Sequence, residues 1–437
     1  MIKKQTYYFK SKKLDSEKNF NFGGSNRSKS AIDTLNDIKP LFDYAGITRL
    51  ADITRLDRIG IPVTLAIRPN SRTLAVSSGK GLDLESALVS GAMEALELFH
   101  SEYSRLDVFS MPYEELGKLY NSIPCELLPL KNGSLFNPEW PETWTLGWDI
   151  INDEEVAIPI QLASMAPNLY TTKIPSIASF VTDSNGLASG NNITESILSG
   201  LYEVIERDAI ALHKCLSEAH GMLINEVEIE SIPYETVQSL CSKIQSAFCD
   251  IFIYDCTSDL TIPVYKAVLL DNNGGCISVV EGFGCNINRE IALIRAITEA
   301  CQGRVVVISG ARDDVYNFSI EKLRGKNFSN EFRNILSGES KKFTNSNFNE
   351  QNNLGDDIKY IIERLLHNAI KQVIVVELNI FSCLQSFTKI IIPGLEGYPS
   401  HGYVYGKRAK EALSKVSLNS LSNRDVLQPL HLPAGGR

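Results

Sequence analysis

The stretch Gly190-Asn191-Asn192-Ile193-Thr194-Glu195-Ser196-Ile197-Leu198-Ser199-Gly200-Leu201-Tyr202-Glu203-Val204-Ile205-Glu206-Arg207 decides the reading of this chain, because its pattern occurs three times. Gly79 to Glu97 and Gly284 to Gln302 echo it, at a period near 100 residues. Each copy opens on glycine, passes an N-cap type of residue (Asp83, Thr194, Asn288) and continues as an amphipathic helix. A helix entered through a glycine loop is suited to anions, since its free N–H groups and its dipole point at the entry.

Polar residues fall at i, i+4 and i+7 in every copy: Ser90, Glu94, Glu97; Ser199, Glu203, Glu206; Arg295, Glu299, Gln302. At roughly 100° per residue these positions lie within about 60° of one another and form a stripe down one side. Leu88, Ala92, Ala95 and Phe99 lie around the first helix, where they can pack, and Glu195 stands one turn before Ser199. A solvated acidic face would account for one such helix. Three related helices, with Ala, Leu and Ile dense between the acids, point instead to burial. Converging stripes would set carboxylates against each other until they took up protons. Mg²⁺, a hard cation bound by oxygen, is the economical remedy, and Arg207 and Arg295 beside the stripes can grip phosphate as guanidinium forks. The residues thus point to an acid-lined, Arg-flanked site for Mg²⁺ and a nucleotide.

Outward from the repeats, Ser30 to Tyr44 has helical spacing divided by Pro40, after a polar segment that reads as a flexible arm. Runs at 61–67, 144–151, 156–162, 262–270, 277–280 and 372–378 read as strands. Gly325 to Asp357 is too polar to supply core and reads as an insertion. The 437 residues, 43% hydrophobic and 22% charged, exclude collagen-like and disordered classes, and 43 Lys+Arg against 52 Asp+Glu argue against a nucleic-acid partner. Nine scattered cysteines without a C-x-x-C pair argue against disulfides and a thiolate zinc site, and place the chain in a reducing cytoplasm. No apolar run is long enough for a membrane helix.

Rival chemistries find no support. The six histidines show no ligand spacing and read as core or surface residues. Ser78-Gly79-Lys80-Gly81 lacks the other elements of a P-loop, and the Gly-x-Ser-x-Gly elbow is absent. Asp37, Asp43, Asp57, Lys407, Arg408 and Lys410 read as solvated, and Glu396 reads either as a loop carboxylate or as a functional residue of the segment Ile391 to Gly397.

Three blocks carry a family resemblance: Ser90-x-x-x-Glu94-x-x-Glu97; Asn191-x-x-x-Glu195 followed by Glu203-x-x-Glu206-Arg207-Asp208-Ala209; and Arg295-x-x-x-Glu299-x-x-Gln302-x-Arg304. In this order the chain resembles the YcaO family, closely over about residues 45–310 and loosely elsewhere. The resemblance implies an α/β fold of mixed α+β type, with three repeated loop–helix units on mixed sheets around a non-P-loop ATP site. It implies metal-facing roles for Glu94, Glu97, Glu195, Glu203, Glu206 and Glu299, and nucleotide or phosphate contacts for Ser90, Asn191, Arg207 and Arg295. Arg207 and Arg295 would also be catalytic. Arg27 and Thr34 fit the family's basic residue and hydroxyl seven apart, while Ala188 replaces its serine. The organisation expected is an arm and helix over 1–44, a core over 45–400 with a polar insertion at about 325–357, and a tail over 401–437.

The activity implied is activation of a peptide backbone amide: a nucleophile adds to the amide carbon, the oxyanion attacks the γ-phosphate of ATP, and phosphate departs. An attacking Cys, Ser or Thr gives an azoline by cyclodehydration, sulfide gives thioamidation, and an internal amine gives an amidine. Cyclodehydratases of the family often end in Pro-x-Pro-x-Pro, whereas Pro429 and Pro433 here stand four apart. Ile391 to Gly397 resembles stand-alone members that work with a TfuA-type partner. Partners implied are a ribosomally made precursor peptide, a separate leader-binding ThiF/E1-like or TfuA-type protein, and a second copy in a homodimer. Two other readings are a non-catalytic ATP-binding accessory protein and an exposed acidic surface for a basic partner; exposure of Glu94 and Glu203 would mark the latter.

Overall fold

The computed structural model describes residues 6–14, 20–171, 177–273, 277–312, 332–333, 335–336, 339–344, 353–399 and 403–415. Ser30 accepts a hydrogen bond from the Asp33 N–H and starts α1 (Ala31–Ile38); Pro40 then turns the chain into a single 3-10 turn. The first repeat is built on an antiparallel sheet of β1 (Arg49–Asp52), β2 (Val63–Ile67) and β3 (Val76–Lys80), which leads into α2 (Leu84–Tyr103). There follow β4 (Phe109–Pro112), β5 (Asn121–Ser122), β6 (Pro141–Asp149), β7 (Glu154–Pro159), β8 (Leu187–Gly190) and the long α3 (Ile193–His220). The third repeat comprises β9 (Glu226–Val227), α4 (Glu235–Ser246), β10 (Cys249–Asp255), β11 (Val264–Asp271), β12 (Val279–Cys285) and α5 (Arg289–Ser309). The chain then adds β13 (Ser340–Lys341), α6 (Leu354–His367), β14 (Ile374–Glu377), β15 (Ser386–Ile391) and α7 (Lys407–Ser414).

Two larger mixed sheets carry the second and third repeats. One has the order β8–β15–β14–β6–β7–β5, with β4 also on β6; the other is β12–β11–β10–β9–β13. Each repeated helix lies on the strand that feeds it. Each also touches the strand of the next repeat: α2 meets β8, α3 meets β12, and α5 returns to β3. The three units therefore close into a ring, with one flank of every helix turned toward its centre.

Glycine makes these crossings possible by removing a side chain, not by an unusual backbone angle. A β-carbon on Gly79 or Gly284 would stand 2.1 Å from the carbonyl oxygen of Ala87 or Ala292, and one on Gly190 would stand 2.4 Å from the Ser196 nitrogen. These glycines belong to strands, not to loops at a helix entry. The helix entries are closed by Asp83, Asn192 and Asn288, which accept from the N–H of Ser86, Glu195, and Glu290 with Ile291. Thr194 is thus not a cap but a buried residue of the first turn. Asn192 takes the role because it stands seven residues before Ser199, as Asp83 does before Ser90 and Asn288 before Arg295.

Other expectations need correction. Residues 6–14 are docked, with Tyr7, Phe9 and Leu14 in the largest apolar core alongside α3 and α6. Within the polar insertion Phe332 is buried, and Ser340–Lys341 adds a parallel edge strand beside β9. Asp57 is ion-paired with the buried Arg304 at 3.0 Å, and Arg408 binds the buried Asp208 through two 2.9 Å contacts, so neither is a solvated charge. Glu396 is no bare loop carboxylate: it accepts from the N–H of Gly406 and Ala409, supplying the cap that Gly406 cannot give α7. Residues 416–437, with both prolines of the tail, lie outside the described residues.

Gly284→Ala should lower the unfolding free energy by at least about 2 kcal/mol, because backbone on both sides of the contact must move. Gly117→Ala, with nothing within 4 Å of the new methyl, is the control and should be near neutral. Urea unfolding compares them; equal midpoints would mean that the helix does not need its close approach.

Candidate functional site: an acid-lined cavity at the centre of the ring

The three flanks and the N-terminal segment enclose a cavity of about 250 Å³. All twelve side chains singled out from sequence line it: Arg27, Thr34, Ser90, Glu94, Glu97, Asn191, Glu195, Glu203, Glu206, Arg207, Arg295 and Glu299. Glu97, Glu195, Glu206 and Glu299 are buried, while Glu94 and Glu203 are half-buried within the cavity wall. An exposed acidic surface for a basic partner is thereby excluded.

The charge is not left unanswered. Six carboxylates line the cavity, but so do five cations: Arg27, Lys29, Lys80, Arg207 and Arg295. Ser28 donates to Glu195 from its N–H at 3.0 Å and its hydroxyl at 2.7 Å, with Arg27 at 3.5 Å from the same carboxylate. Thr34 donates to the Asn191 side-chain Oδ1 at 2.9 Å, and the Asn191 Nδ2 in turn donates to Glu195. Ser189 donates to Glu97 at 2.7 Å. Lys80 is paired with Glu299 at 2.6 Å. Among the described residues no three acidic, His or Cys side chains are already drawn together as a metal cage.

Some atoms have no answer within the chain. Glu206 Oε2, Glu299 Oε1 and Arg295 Nε are buried in the cavity wall and make no hydrogen bond. Buried polar atoms are almost always partnered, so this wall fits a ligand that brings both a cation and anionic oxygens. Burial, with repulsion from Glu299, lifts the Glu206 carboxyl to about 7, against Arg207, Arg295 and Lys80, which pull it down. Burial alone would lower the Arg207 pKa, but Glu203, Glu206 and Glu299 outweigh it and hold the guanidinium charged. The Arg207 guanidinium also lies over the Tyr398 ring, 4.6 Å from its centre.

Sequence reasoning missed Lys80, Ser28, Ser189 and Tyr398. Lys80 was visible in Gly79-Lys80-Gly81, at the same offset from its helix as Ser189 and Cys285. Tyr398 lies in no periodic element, so nothing in the linear pattern marked it. Two histidines are core residues: burial pushes His100 and His213 down to about 4, and each is held by backbone, while His220 and His367 are exposed. The described cysteines are free.

Residues 78–396 match the family model described as YcaO cyclodehydratase, ATP- and Mg²⁺-binding. An uncharacterized protein in the tfuA 3′ region of Rhizobium leguminosarum bv. trifolii is 30% identical over 395 residues, spanning 88% of this chain and 92% of the relative. A heterocyclase solved in complex with substrate and cofactor shares the fold at TM-score 0.72 and 20% identity, over 87% of this chain and 54% of that one. YcaO from Methanopyrus kandleri, bound with AMPPCP and Mg²⁺, superposes at TM-score 0.69 and 20% identity, over 87% of this chain and 95% of its own. This chain belongs to the YcaO family and has its mixed α/β fold. Its cofactors are ATP and Mg²⁺, and its class is that of ATP-dependent peptide-modifying enzymes. Among the described residues no helix is long and apolar enough to cross a membrane.

The Glu206 carboxyl sets a pH dependence. Unfolded, it ionises near the ordinary 4.5; folded, it holds its proton to about 7. Between these values the folded state binds the extra proton, so this group's contribution to stability is present below the unfolded pKa and falls as pH rises to about 7. Glu206→Gln, which mimics the protonated form, should therefore gain on the nucleotide-free wild type between pH 5 and pH 7 and keep a constant lead above that. Urea unfolding across the range checks it; a lead independent of pH would contradict it.

Proposed function

We propose that this protein activates a backbone amide of a ribosomally made precursor peptide by O-phosphorylation with ATP, leading to an azoline or a thioamide. What carries the reading is the convergence of three helix flanks on one cavity whose wall holds unpartnered oxygens of Glu206 and Glu299 beside an unpartnered nitrogen of Arg295. Glu94, Glu97, Glu195, Glu203, Glu206 and Glu299 would hold Mg²⁺; bound there, it neutralises and aligns the phosphates of the nucleotide. Arg27, Thr34, Ser90 and Asn191 would position the nucleotide. Arg207 and Arg295 would stabilise the charge that develops on the phosphoryl group as it is transferred.

The step balances without a nucleophilic triad. A thiol, hydroxyl or sulfide adds to the amide carbon, and the amide oxygen takes the γ-phosphoryl of ATP, releasing ADP. That oxygen then leaves as phosphate while a proton is lost. Ring closure is favoured by the family's description as cyclodehydratases. The tfuA-region relative supports a TfuA-type partner and keeps sulfide in play. Eight free cysteines among the described residues suit a reducing compartment such as the cytoplasm.

Glu203→Gln and Arg207→Ala should each abolish phosphate release from Mg·ATP in the presence of peptide, with the fold intact by circular dichroism. Turnover retained in both would overturn the site. Mass spectrometry of peptides encoded near the gene separates the products: loss of about 18 Da marks dehydrative closure, and a sulfide-dependent gain of about 16 Da marks thioamidation, both following from phosphate as leaving group.

A further inference from the structure

Lys80 ends β3, three residues before the cap Asp83; Ser189 and Cys285 hold the same place before Asn192 and Asn288. From this place Ser189 and Lys80 reach back across the ring to an acid of the preceding unit. Ser189 donates to Glu97 at 2.7 Å and Lys80 to Glu299 at 2.6 Å; the thiol of Cys285 is raised by burial and then by the neighbouring Glu206. A hydroxyl or a thiol leaves the charge of its acid in place, whereas an ammonium cancels it. Glu299 is thus a cavity acid whose charge is already met, through Oε2, while its Oε1 is buried and makes no hydrogen bond.

That pairing has a consequence for order. A divalent cation entering alone must take Glu299 from an ammonium whose side chain is only 18% exposed, leaving that ammonium without a partner. A cation entering with phosphate brings the ammonium a new partner at the same moment. Lysine suits the exchange better than arginine, being a compact charge on a flexible stem.

We propose that Lys80 makes metal binding depend on nucleotide, holding Glu299 in the nucleotide-free enzyme and moving to a phosphate oxygen when metal and nucleotide enter together. This rests on the ATP site proposed above. Mn²⁺, read by electron paramagnetic resonance, stands in for Mg²⁺, with AMPPCP as nucleotide and the full chain as protein. The wild type should bind Mn²⁺ weakly alone and tightly with AMPPCP. Lys80→Met should bind Mn²⁺ alone about tenfold more tightly and Mn·AMPPCP about tenfold more weakly, the scale of one charged hydrogen bond. Adding Glu299→Gln should erase the first gain.

Unchanged Mn²⁺ affinity in Lys80→Met, or unchanged AMPPCP affinity, overturns the inference and shows a static ion pair. Should Lys80→Met not fold, Lys80→Arg keeps the charge: it must retain the nucleotide dependence, and free Mn²⁺ bound as tightly as Mn·AMPPCP overturns the inference. A wild type that binds no Mn·AMPPCP overturns the ATP site itself, and the role of Lys80 with it; a wild type that does, beside an unchanged Lys80→Met, overturns the role of Lys80 alone.

Discussion

Like charges repel, and repulsion sharpens as water is excluded; six carboxylates around one small cavity therefore constrain everything built about them. The chain meets this constraint with cations and hydroxyls from elements far apart in sequence. Arg27 and Ser28 come from the N-terminal segment, Lys80 from the first feeding strand and Ser189 from the second. Every one of these contacts crosses between repeats or joins the N-terminal segment to a repeat. The cavity and the ring are consequently one structure: loosening a crossing would also strip an acid of its partner.

The same economy holds Arg207 in place. Its neighbour Asp208 is buried and binds Arg408 in two contacts, and Asp208 also accepts from the Glu396 N–H. Glu396 caps the helix that carries Arg408, and Tyr398, between them in the chain, lies under the Arg207 guanidinium. A segment nearly two hundred residues downstream is thus fastened to the helix whose flank faces the cavity. Burial favours the neutral acid at Asp208, and the guanidinium of Arg408 opposes it.

Glycine and the caps explain why the arrangement recurs. The first and third feeding strands carry glycine four residues before the cap, at Gly79 and Gly284, where a β-carbon would meet the helix backbone, whereas the second carries Ala188 there and its glycine two residues later, at Gly190; in all three the caps fix the helical phase that follows. Once Asp83, Asn192 or Asn288 sets that phase, the residue seven positions on must face inward. Unequal lengths of chain between repeats are absorbed elsewhere, in the two large sheets and the connections among them.

Sequence alone determined the three helices, their polar stripes and hence the cavity acids, because period, cap type and side-chain chemistry are local properties of the chain. It also carried the helix broken at Pro40 and six strands rich in β-branched residues. The feeding strands β3 and β8 escaped notice, since Ser, Gly and Ala there give no strand pattern; their extended form comes from pairing with β2 and β15. Only the tertiary structure decided which acids meet which cations, that Asp57 and Arg408 pair with the buried Arg304 and Asp208, and that Tyr398 faces Arg207. Those are long-range contacts, and a charged residue reads the same along the chain whether it meets water or an opposite charge from two hundred residues away.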